Sequence, residues 1–441
     1  MIDLMMEPTY LAQADISPSA IVVQEKSKVT EESGFIHSKE GGRYQVVTVL
    51  PKEASSVNQT FEYADAFGTL RAAGIHADSL FGTDTSAFAI GAQFGFQTAS
   101  YYGVSARMAA YTSQKISALN PSKPKNRNRD FFDEDGNSFT YIGEANVAYN
   151  SDIVRIEAGR VRIDTPYADS DDIRMAPNTF EGVWSHFDLS DSWKVQATYL
   201  TRWAGFDSGE DQSTYKKLFE NSHNGETSDG MFGLSLQYVI NDDNDISLWY
   251  YHVDQMSDIV YVESAGDLIF TDAFHVEYGL QVSTIQSLNH SQVEGDVLGA
   301  MVIFDYSMLF FATAINKAFV DGENSITDGF GGGPYYTSLD ESTIGFVSET
   351  APGEDTLSYR VGGGVNFNDW NIEGLVIEYV YGDLKSSQSL EFNEHDVIIT
   401  YDITDQLYLE GVFARFDIDK APVDLDAEKF SRYIVRLDYS F

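Results

Sequence analysis

The last eleven residues, SRYIVRLDYSF (431–441), decide the fold, because apolar and polar side chains alternate along them up to the final residue. The apolar positions are Tyr433, Val435, Leu437, Tyr439 and Phe441, and the polar positions are Arg432, Arg436, Asp438 and Ser440, with Ile434 as the one exception. Side chains of a β-strand point to opposite faces in turn, so this segment is predicted to be a strand with one apolar face. Chain ends are usually poorly ordered, and a strand that continues to the last residue therefore indicates a partner strand.

The same alternation recurs along the chain from about residue 68. Clear examples are SAFAIGAQFGF (86–96), WKVQATYLTR (193–202) and LSYRVGGGVNF (357–367). Segments of around ten residues match the tilted strand that crosses a bilayer. Eighteen strands are predicted, near 68–77, 86–98, 101–113, 138–149, 152–162, 178–188, 193–203, 230–240, 245–255, 258–266, 271–284, 293–304, 308–317, 356–367, 371–382, 393–402, 406–417 and 430–441.

Short and long connections alternate between these strands. NDDND (241–245), NDW (368–370) and TD (404–405) are short, whereas residues 113–138 and 320–356 are long and polar. Short turns at one rim and long loops at the other are typical of an outer-membrane barrel and not of a soluble β-sandwich. The sequence therefore predicts an all-β protein, a transmembrane antiparallel β-barrel of about 18 strands over residues 66–441. The last strand is expected to pair with the first, because an open edge would leave backbone groups unpaired in lipid.

Composition excludes several classes of function. The chain has 28 basic and 68 acidic residues and a net charge of −40, so nucleic acid is not an expected partner. It has no cysteine, which excludes disulfides and thiolate metal sites. Its eight histidines are scattered, and it contains no HExxH, GxSxG or phosphate-loop motif, so no enzymatic activity is predicted. The apolar run 297–315 is interrupted by Asp305 and predicts two strands rather than a membrane helix.

One connection is less polar than the others and carries the motif GRVRIDTPYADSDDIRMAPNTFEG (159–182), between the fifth and sixth predicted strands. This run resembles the third-loop region of the OprD family of bacterial outer-membrane porins, and IEGLVIEYVYGD (372–383) is similar to a late strand of that family. The resemblance implies an eighteen-stranded barrel whose third loop folds inward to form an eyelet. It also implies a ladder of basic wall side chains that guides carboxylate-bearing solutes.

The candidate site residues are charged side chains of this loop and of the predicted wall. The constriction loop contributes Asp164, Asp169, Asp171, Asp172 and Arg174; the basic ladder contains Arg107, Arg155, Arg160, Arg162, Lys194, Arg202, Arg360, Arg432 and Arg436; the acidic wall residues are Glu144 and Glu157. Opposite charges that face each other across a narrow pore would create a transverse field. The arginines could instead pair with Glu144 and Glu157 to hold the barrel in shape, and the loop aspartates could bond their own turns.

The predicted function is that of an outer-membrane porin for passive diffusion of small hydrophilic solutes such as amino acids, carboxylates and ions. The alternative is a non-conducting structural or adhesive barrel with functional extracellular loops. The expected partners are the lipid bilayer, lipopolysaccharide and an assembly machinery that recognises the strand ending in Phe441, with a monomer or a homotrimer as the assembly. No cofactor is predicted, although DFFDEDGN (130–137) offers oxygen ligands for Ca²⁺ without the full spacing of a calcium loop.

Residues 1–65 lack the alternation and are charged, and no secretory signal is visible at their start. They are predicted to be a leader or a periplasmic or lumenal extension. Within them, IVV (21–23) and YQVVTVL (44–50) could be short strands.

Overall fold

Eighteen antiparallel strands close into a barrel in which each strand pairs with its neighbours in sequence and the last pairs with the first. The structure is a computed structural model that describes residues 36–40, 43–46, 51–79, 82–209, 211–241, 243–271, 273–339, 352–370, 372–421 and 429–441. The predicted all-β transmembrane barrel topology is thus confirmed at the level of fold.

The strands are numbered in chain order. They are β1 Asp65–Ala77, β2 Thr85–Gln97, β3 Val104–Lys115, β4 Phe139–Asn150, β5 Val154–Val161, β6 Thr179–Ser190, β7 Trp193–Ala204, β8 Met231–Asn241, β9 Asn244–Val253, β10 Ser257–Thr271, β11 Phe274–Ser287, β12 Gly295–Tyr306, β13 Leu309–Phe319, β14 Thr356–Asn366, β15 Leu375–Ser386, β16 Glu391–Thr404, β17 Leu407–Lys420 and β18 Lys429–Ser440. A short additional strand, Lys216–Lys217, pairs with β7.

All eighteen predicted strands are present, and most of their bounds differ from the prediction by a few residues. The largest difference lies at β10, which continues to Thr271 instead of ending at residue 266. The apolar run 268–270 belongs to this strand and not to the turn, and the next strand begins at Phe274. The run 297–315 forms β12 and β13, as its central aspartate indicates. No helix among the described residues has the length and the apolar character that a bilayer-spanning helix needs.

The long connections all lie at one rim, as the alternation of short and long connections predicts. Residues 116–138, 162–178, 205–230 and 320–355 follow β3, β5, β7 and β13, and we call them the second, third, fourth and seventh loops. Their end of the barrel is the loop rim. The opposite end, the turn rim, holds connections such as 191–192 and 307–308 and also the start of β1 and the end of β18.

Closure of the barrel depends on the pairing of β18 with β1. The backbone groups of Gly68 and Phe441 exchange two hydrogen bonds of 3.0 Å, and the register runs from there to Arg432 opposite Ala77. The side-chain oxygens of Thr69 and Ser440 lie 3.0 Å apart on the inner face. The alternation at the chain end therefore has the structural reason that the sequence predicts: the terminal strand has a partner along its length.

The two faces of the wall differ in burial. On β18, Val435 is 54% exposed and Leu437 37%, whereas Ile434 and Arg436, which alternate with them, are 3% and 6% exposed. The same alternation on β9 leaves Leu248 and Tyr250 exposed and buries Trp249 and Tyr251. An apolar outer face on a closed barrel suits contact with lipid, which has no water to bond an open edge.

Loops fill part of the lumen at the loop rim. The largest buried apolar cluster joins residues of β5 to β13 with the third, fourth and seventh loops; it includes Ile163, Tyr167, Phe180, Trp203, Leu218, Tyr251, Tyr261, Phe330 and Tyr335. This half of the interior is consequently packed like a protein core, whereas Arg71, Arg436 and Asp438 lie on the opposite side, at β1 and β18.

We expect the β1–β18 seam to accept a disulfide, because Thr69 and Ser440 form a cross-strand pair and the chain contains no cysteine. The variant Thr69→Cys/Ser440→Cys should form a disulfide that joins the two ends of the barrel, detected by mass spectrometry of proteolytic fragments.

The matched control is Thr69→Cys/Ile434→Cys, in which the second cysteine is displaced by six residues or roughly 20 Å along the strand. This pair should remain reduced. A disulfide in the control and none in the first variant would contradict the register of the seam.

Candidate functional site

The third loop is folded into the barrel by a small hairpin of its own. Asp164–Thr165 pairs with Ala168–Asp169, and the Thr165 hydroxyl donates to the Ala168 carbonyl at 3.0 Å. Pro166 and Tyr167 form the tip, since proline has the fixed φ that a tight turn needs. The backbone N–H of Asp169 donates to the Phe330 carbonyl of the seventh loop at 2.9 Å, so the two loops are joined.

The tip of the third loop contacts the wall at β9–β11. The Tyr167 hydroxyl lies 2.6 Å from the Ser283 hydroxyl on β11 and 3.1 Å from that of Tyr335 in the seventh loop. Its ring packs edge-on against Tyr251 on β9 and Tyr261 on β10, with centroid distances of 5.5 and 6.0 Å. Burial raises the pKa of Tyr167 to about 12, so the hydroxyl stays neutral and can donate or accept at physiological pH.

The other end of the third loop contacts the wall at the β1–β18 seam. The Arg71 guanidinium on β1 donates two hydrogen bonds to the Asp172 carboxylate, at 2.7 and 3.0 Å. It also donates two to the Asp438 carboxylate on β18, at 2.8 and 2.6 Å, and one to the Arg174 carbonyl at 2.7 Å. Arg436 donates to the Asp172 carbonyl and forms an ion pair with Glu410 on β17 at 3.1 Å.

These two attachment points lie on opposite walls, because β10 is opposite β1 in a ring of eighteen strands. The third loop therefore crosses the lumen from Tyr167 at one wall to Asp172 at the other. Asp172 does not face the basic residues across a gap, as the transverse-field prediction assumes. It is in direct contact with Arg71, so that part of the loop's charge is neutralised at the wall.

The charge of Asp172 is stabilised by its surroundings. Burial acts to raise its pKa, but the guanidinium and hydrogen bonds of Arg71, with Arg436 and Arg162 nearby, outweigh burial and hold the pKa below the ordinary value. Arg–carboxylate pairs with two parallel hydrogen bonds are among the stronger polar contacts in proteins.

A second charged cluster surrounds Glu144 on β4. Its carboxylate accepts hydrogen bonds from Arg107 on β3 and from the Tyr111 hydroxyl, both at 2.6 Å, and lies 3.6 Å from Arg162. Arg107 also donates to Gln97 at 3.1 Å. The pairing of a wall arginine with Glu144, which the sequence left open, is thus what the structure shows at this point.

A third contact joins three elements through Asp130 of the second loop. Its carboxylate lies 3.4 Å from Arg174 in the third loop and 4.0 Å from Arg432 on β18. The Arg174 guanidinium also covers the ring of Phe206 in the fourth loop at 4.7 Å. Arg174 therefore holds the loops together and does not stand free in the pore.

The remaining predicted wall residues are dispersed. Arg155 pairs with Glu157 on the same strand, Arg160 with Glu181 at 3.0 Å, and Arg360 donates to the Ser338 carbonyl of the seventh loop at 2.6 Å. Lys194 stands opposite Asp188 and Gln237 in the β-sheet register.

Arg202 does not join the buried arginines. It is exposed, while its neighbour Trp203 is buried, and it lies in register with Glu181 and Lys217. The register shift beside Glu181 inserts an extra residue into β7 and displaces the alternation from which the inward direction of Arg202 was predicted.

The remaining loop aspartates are bound within the loops. The Asp171 carbonyl accepts from the Asn178 N–H at 3.1 Å, and both Asp169 and Asp171 are buried beside Gly331 and Gly332 of the seventh loop. Asp164 is half-buried in the small hairpin.

Sequence reasoning missed Arg71, Asp438, Glu410 and Asp130. On β1 the inner positions next to Arg71 are Ala73 and Ile75, which are apolar, so alternation alone does not show which face is inward. Asp438 could have been found, because it shares the face of Arg436. The role of Asp130 depends on loop packing, for which the sequence carries no signal.

The acidic run 130–137 uses its oxygens for local contacts. Asp130 faces two arginines, and the Asp133 carboxylate accepts the backbone N–H groups of Asp135 and Asn137 at 3.0 and 2.7 Å. In the part of the chain that the structure describes, no group of three or more acidic or histidine side chains could hold a metal ion.

Several solved structures have a similar fold. The chain is similar to Pseudomonas aeruginosa OpdK, solved with vanillate (15% identity, TM-score 0.71), to Pseudomonas aeruginosa OccK9, also called OpdG (14%, 0.73), and to Acinetobacter baumannii OccAB2 (15%, 0.72). Each comparison covers 87% of this chain and 99% of the other. No family model and no curated protein sequence matches the chain.

At such identities the comparison establishes the fold alone. The eighteen-stranded barrel that the third-loop motif implies is thereby confirmed as a fold that this chain shares with these solved structures. This chain also carries sequence that those structures lack, because they are covered almost completely and it is not.

We expect substitution of Arg71 to lower the free energy of unfolding more than substitution of any other residue in the seam contact. Arg71→Met leaves both Asp172 and Asp438 without its guanidinium and should lower the free energy of unfolding by about 3–5 kcal/mol. Asp172→Asn should cost less, because Arg71 keeps Asp438. In the double variant the effects should not add, with a coupling of about 0.5–3 kcal/mol, measured by urea unfolding in detergent micelles.

The exposed pair Lys52–Asp65 provides the matched control, since its side chains are 65% and 51% exposed. The cycle of Lys52→Met and Asp65→Asn should give a coupling within about 1 kcal/mol. Equal coupling in the two cycles would contradict a special role for Arg71.

The depressed pKa of Asp172 predicts how the contact responds to acid. The carboxylate stabilises the fold fully above its unfolded pKa of about 3.9, and this contribution is lost as pH falls through the lower folded value. The difference in unfolding free energy between the wild type and Asp172→Asn should therefore stay constant from pH 7 to about pH 4 and shrink below that. A difference that already shrinks between pH 7 and pH 5 would contradict the assignment.

Proposed function

We propose that the chain is a porin of the bacterial outer membrane, through which small hydrophilic solutes such as amino acids, carboxylates and ions diffuse passively. The observation that carries this proposal is the third loop attached to opposite walls of a closed barrel, by Tyr167 at β9–β11 and by Asp172 at the seam. A loop that is held at both ends by noncovalent contacts narrows the lumen without closing it. The mechanism is selective diffusion and requires no reacting group.

Selectivity in this proposal comes from charges that are already paired. Arg71, Arg107 and Arg436 each hold a carboxylate of the chain itself. A solute carboxylate must therefore compete with Asp172, Glu144 or Glu410 for its guanidinium. OpdK was solved with vanillate, a carboxylate, but that does not extend to this chain. With a net charge of −40, we propose that cations and zwitterions approach more readily than anions.

The membrane partners follow from the outer surface. We propose that the apolar belt contacts the bilayer and that acidic residues of the outer loops meet lipopolysaccharide through divalent ions. The terminal Phe441 ring lies against Phe94 and Tyr439, with centroids 6.5 and 6.4 Å away, and is 40% exposed. An exposed aromatic end on the closing strand suits recognition by the outer-membrane assembly machinery. The barrel would then serve as a monomer or as the unit of a homotrimer.

Single-channel recording of the purified protein in a planar bilayer tests the proposal. Stable open current with an ion preference supports the porin. A barrel that inserts but stays silent under all voltages, including after the N-terminal cleavage described below, would favour the non-conducting structural or adhesive barrel.

We expect neutralisation of the third loop to shift ion preference toward anions. Asp171→Asn/Asp172→Asn removes two negative charges where the loop meets the wall, so the ratio of cation to anion permeability from reversal potentials should fall severalfold. Asparagine is chosen because a lysine beside Arg71 would repel it and endanger folding. The matched control, Asp191→Asn in the exposed turn 191–192, should leave the ratio near the wild-type value. Equal ratios in both variants would show that the third loop does not control passage.

A further inference from the structure

The segment that precedes the barrel is fixed at the turn rim. The backbone N–H of Ala54 donates to the Ser100 carbonyl at 2.7 Å, and the Ser100 N–H donates to the Lys52 carbonyl at 2.6 Å. Ser100 belongs to the connection 98–103 between β2 and β3, which lies at the turn rim. The short helix Val57–Glu62 follows and leads into β1.

Before this anchor the chain forms a β-hairpin. Ile36–Glu40 pairs with Arg43–Val46 in antiparallel orientation, with Glu40 opposite Arg43. The predicted strand in residues 44–50 thus exists in part, as 43–46, whereas residues 21–23 lie outside the described residues.

The second strand of this hairpin lies beside the third loop. Residues 43–46 approach Asp164–Thr165 with Cα atoms within 8 Å. Within the small hairpin of the third loop, Asp164–Thr165 pairs with Ala168–Asp169. Ala168 in turn forms a β-bridge with Phe330 of the seventh loop. The N-terminal hairpin therefore stands next to the element that crosses the lumen.

The number of residues between the hairpin and the anchor at Lys52 limits the path that the chain can take to the third loop. From Val46 to Lys52 there are six residue steps, which span at most roughly 22 Å. A path outside the barrel would run along the outer wall from the turn rim to the loop rim and then enter the lumen to reach the third loop. β1 alone has 13 residues, or roughly 43 Å along the strand and about 30 Å in height when tilted. The chain can reach the third loop only through the lumen.

Charges on the inner wall fit such an occupant. Glu378, Glu394 and Asp396 lie on adjacent strands β15 and β16 and are at most 3% exposed. Carboxylates that line an open, water-filled lumen would be solvated, so protein occupies the lumen at this level, and part of it is the seventh loop, whose Leu339 packs against Val380 and Ile398. The hairpin sequence contains Lys39 and Arg43 against one acidic residue, Glu40, in a chain that is otherwise strongly acidic. A segment with a net positive charge is favoured electrostatically beside a wall that carries these carboxylates.

We propose that the hairpin formed by Ile36–Glu40 and Arg43–Val46 is a tethered plug that lies in the lumen beside Asp164–Thr165 of the third loop. It restricts the passage of solutes. The inference rests on the proposed porin function for its effect on conduction, but not for the position of the hairpin. The ligand of the third loop is thus a segment of the same chain.

Cross-linking tests the position without any assumption about conduction. In the cysteine-free chain, Gln45→Cys/Thr165→Cys treated with a short bis-maleimide should give a link between the two sites, identified by mass spectrometry. The control, Gln45→Cys/Asp133→Cys, places the second cysteine in the second loop and should give no link. Failure of the first pair to link in folded, reconstituted protein would overturn the plug.

Cleavage of the full-length, folded channel tests the restriction. A protease recognition sequence inserted between Leu50 and Pro51 keeps the anchor at Ser100 and allows the plug to be released after reconstitution. Single-channel conductance should rise at least twofold on cleavage, and larger sugars should enter liposomes. The same insertion after Lys123 in the second loop is the control, and its cleavage should leave the conductance unchanged.

Charge reversal in the hairpin gives a second route to the same effect. Lys39→Glu/Arg43→Glu in the intact chain should raise conductance toward the cleaved value, whereas Lys26→Glu/Lys28→Glu, in the same segment but outside the hairpin, should not. If the channel conducts equally before and after cleavage, the porin stands and the plug is overturned. If it is silent in both states although the cross-link forms, the porin function is overturned and the position of the hairpin is retained.

Discussion

The structure depends on the pairing of β18 with β1. In lipid a backbone N–H or C=O without a partner costs several kcal/mol, so a sheet that crosses a bilayer has to close on itself. The closing contact joins Gly68 to Phe441 and brings residues from the two ends of the chain together. Every other strand pairs with a neighbour in sequence, and this pair alone sets the circumference of the barrel and the register of its ends.

The same seam also holds the third loop. Arg71 on β1 and Asp438 on β18 are bonded across the seam, and Arg71 donates its remaining hydrogen bonds to the third loop, at Asp172 and the Arg174 carbonyl. Closure and attachment of the loop therefore share one guanidinium. Its planar fork can bond two carboxylates at once, which the compact ammonium group of lysine cannot do with the same geometry. The position of the third loop is consequently fixed by the strands that complete the barrel, on the side of the ring opposite Tyr167.

Much of this fold could be predicted from the sequence, because alternation is a local property. Strands such as 357–367 show their two faces directly, and the terminal strand shows its need for a partner. The third loop was recognised by its motif, and the pairing of Arg107 with Glu144 was among the alternatives. The sequence does not predict which loop contacts which part of the wall. Arg71 lies in a strand of mostly small apolar residues, so its inward direction could not be predicted. A register shift beside Glu181 changes the direction of Arg202.

Wall glycines show why the loops fold inward at particular places. A Cβ added at Gly91 on β2 would lie 2.6 Å from the Met175 side chain of the third loop, and one at Gly279 on β11 would lie 2.5 Å from the Tyr336 hydroxyl of the seventh. Both glycines occupy inner positions, so each leaves a notch into which a loop side chain fits. Glycine weakens a strand, and its presence at inward positions opposite loop residues indicates that wall and loops are matched in shape. The inward position of the loops is thus encoded in the strands as much as in the loops themselves.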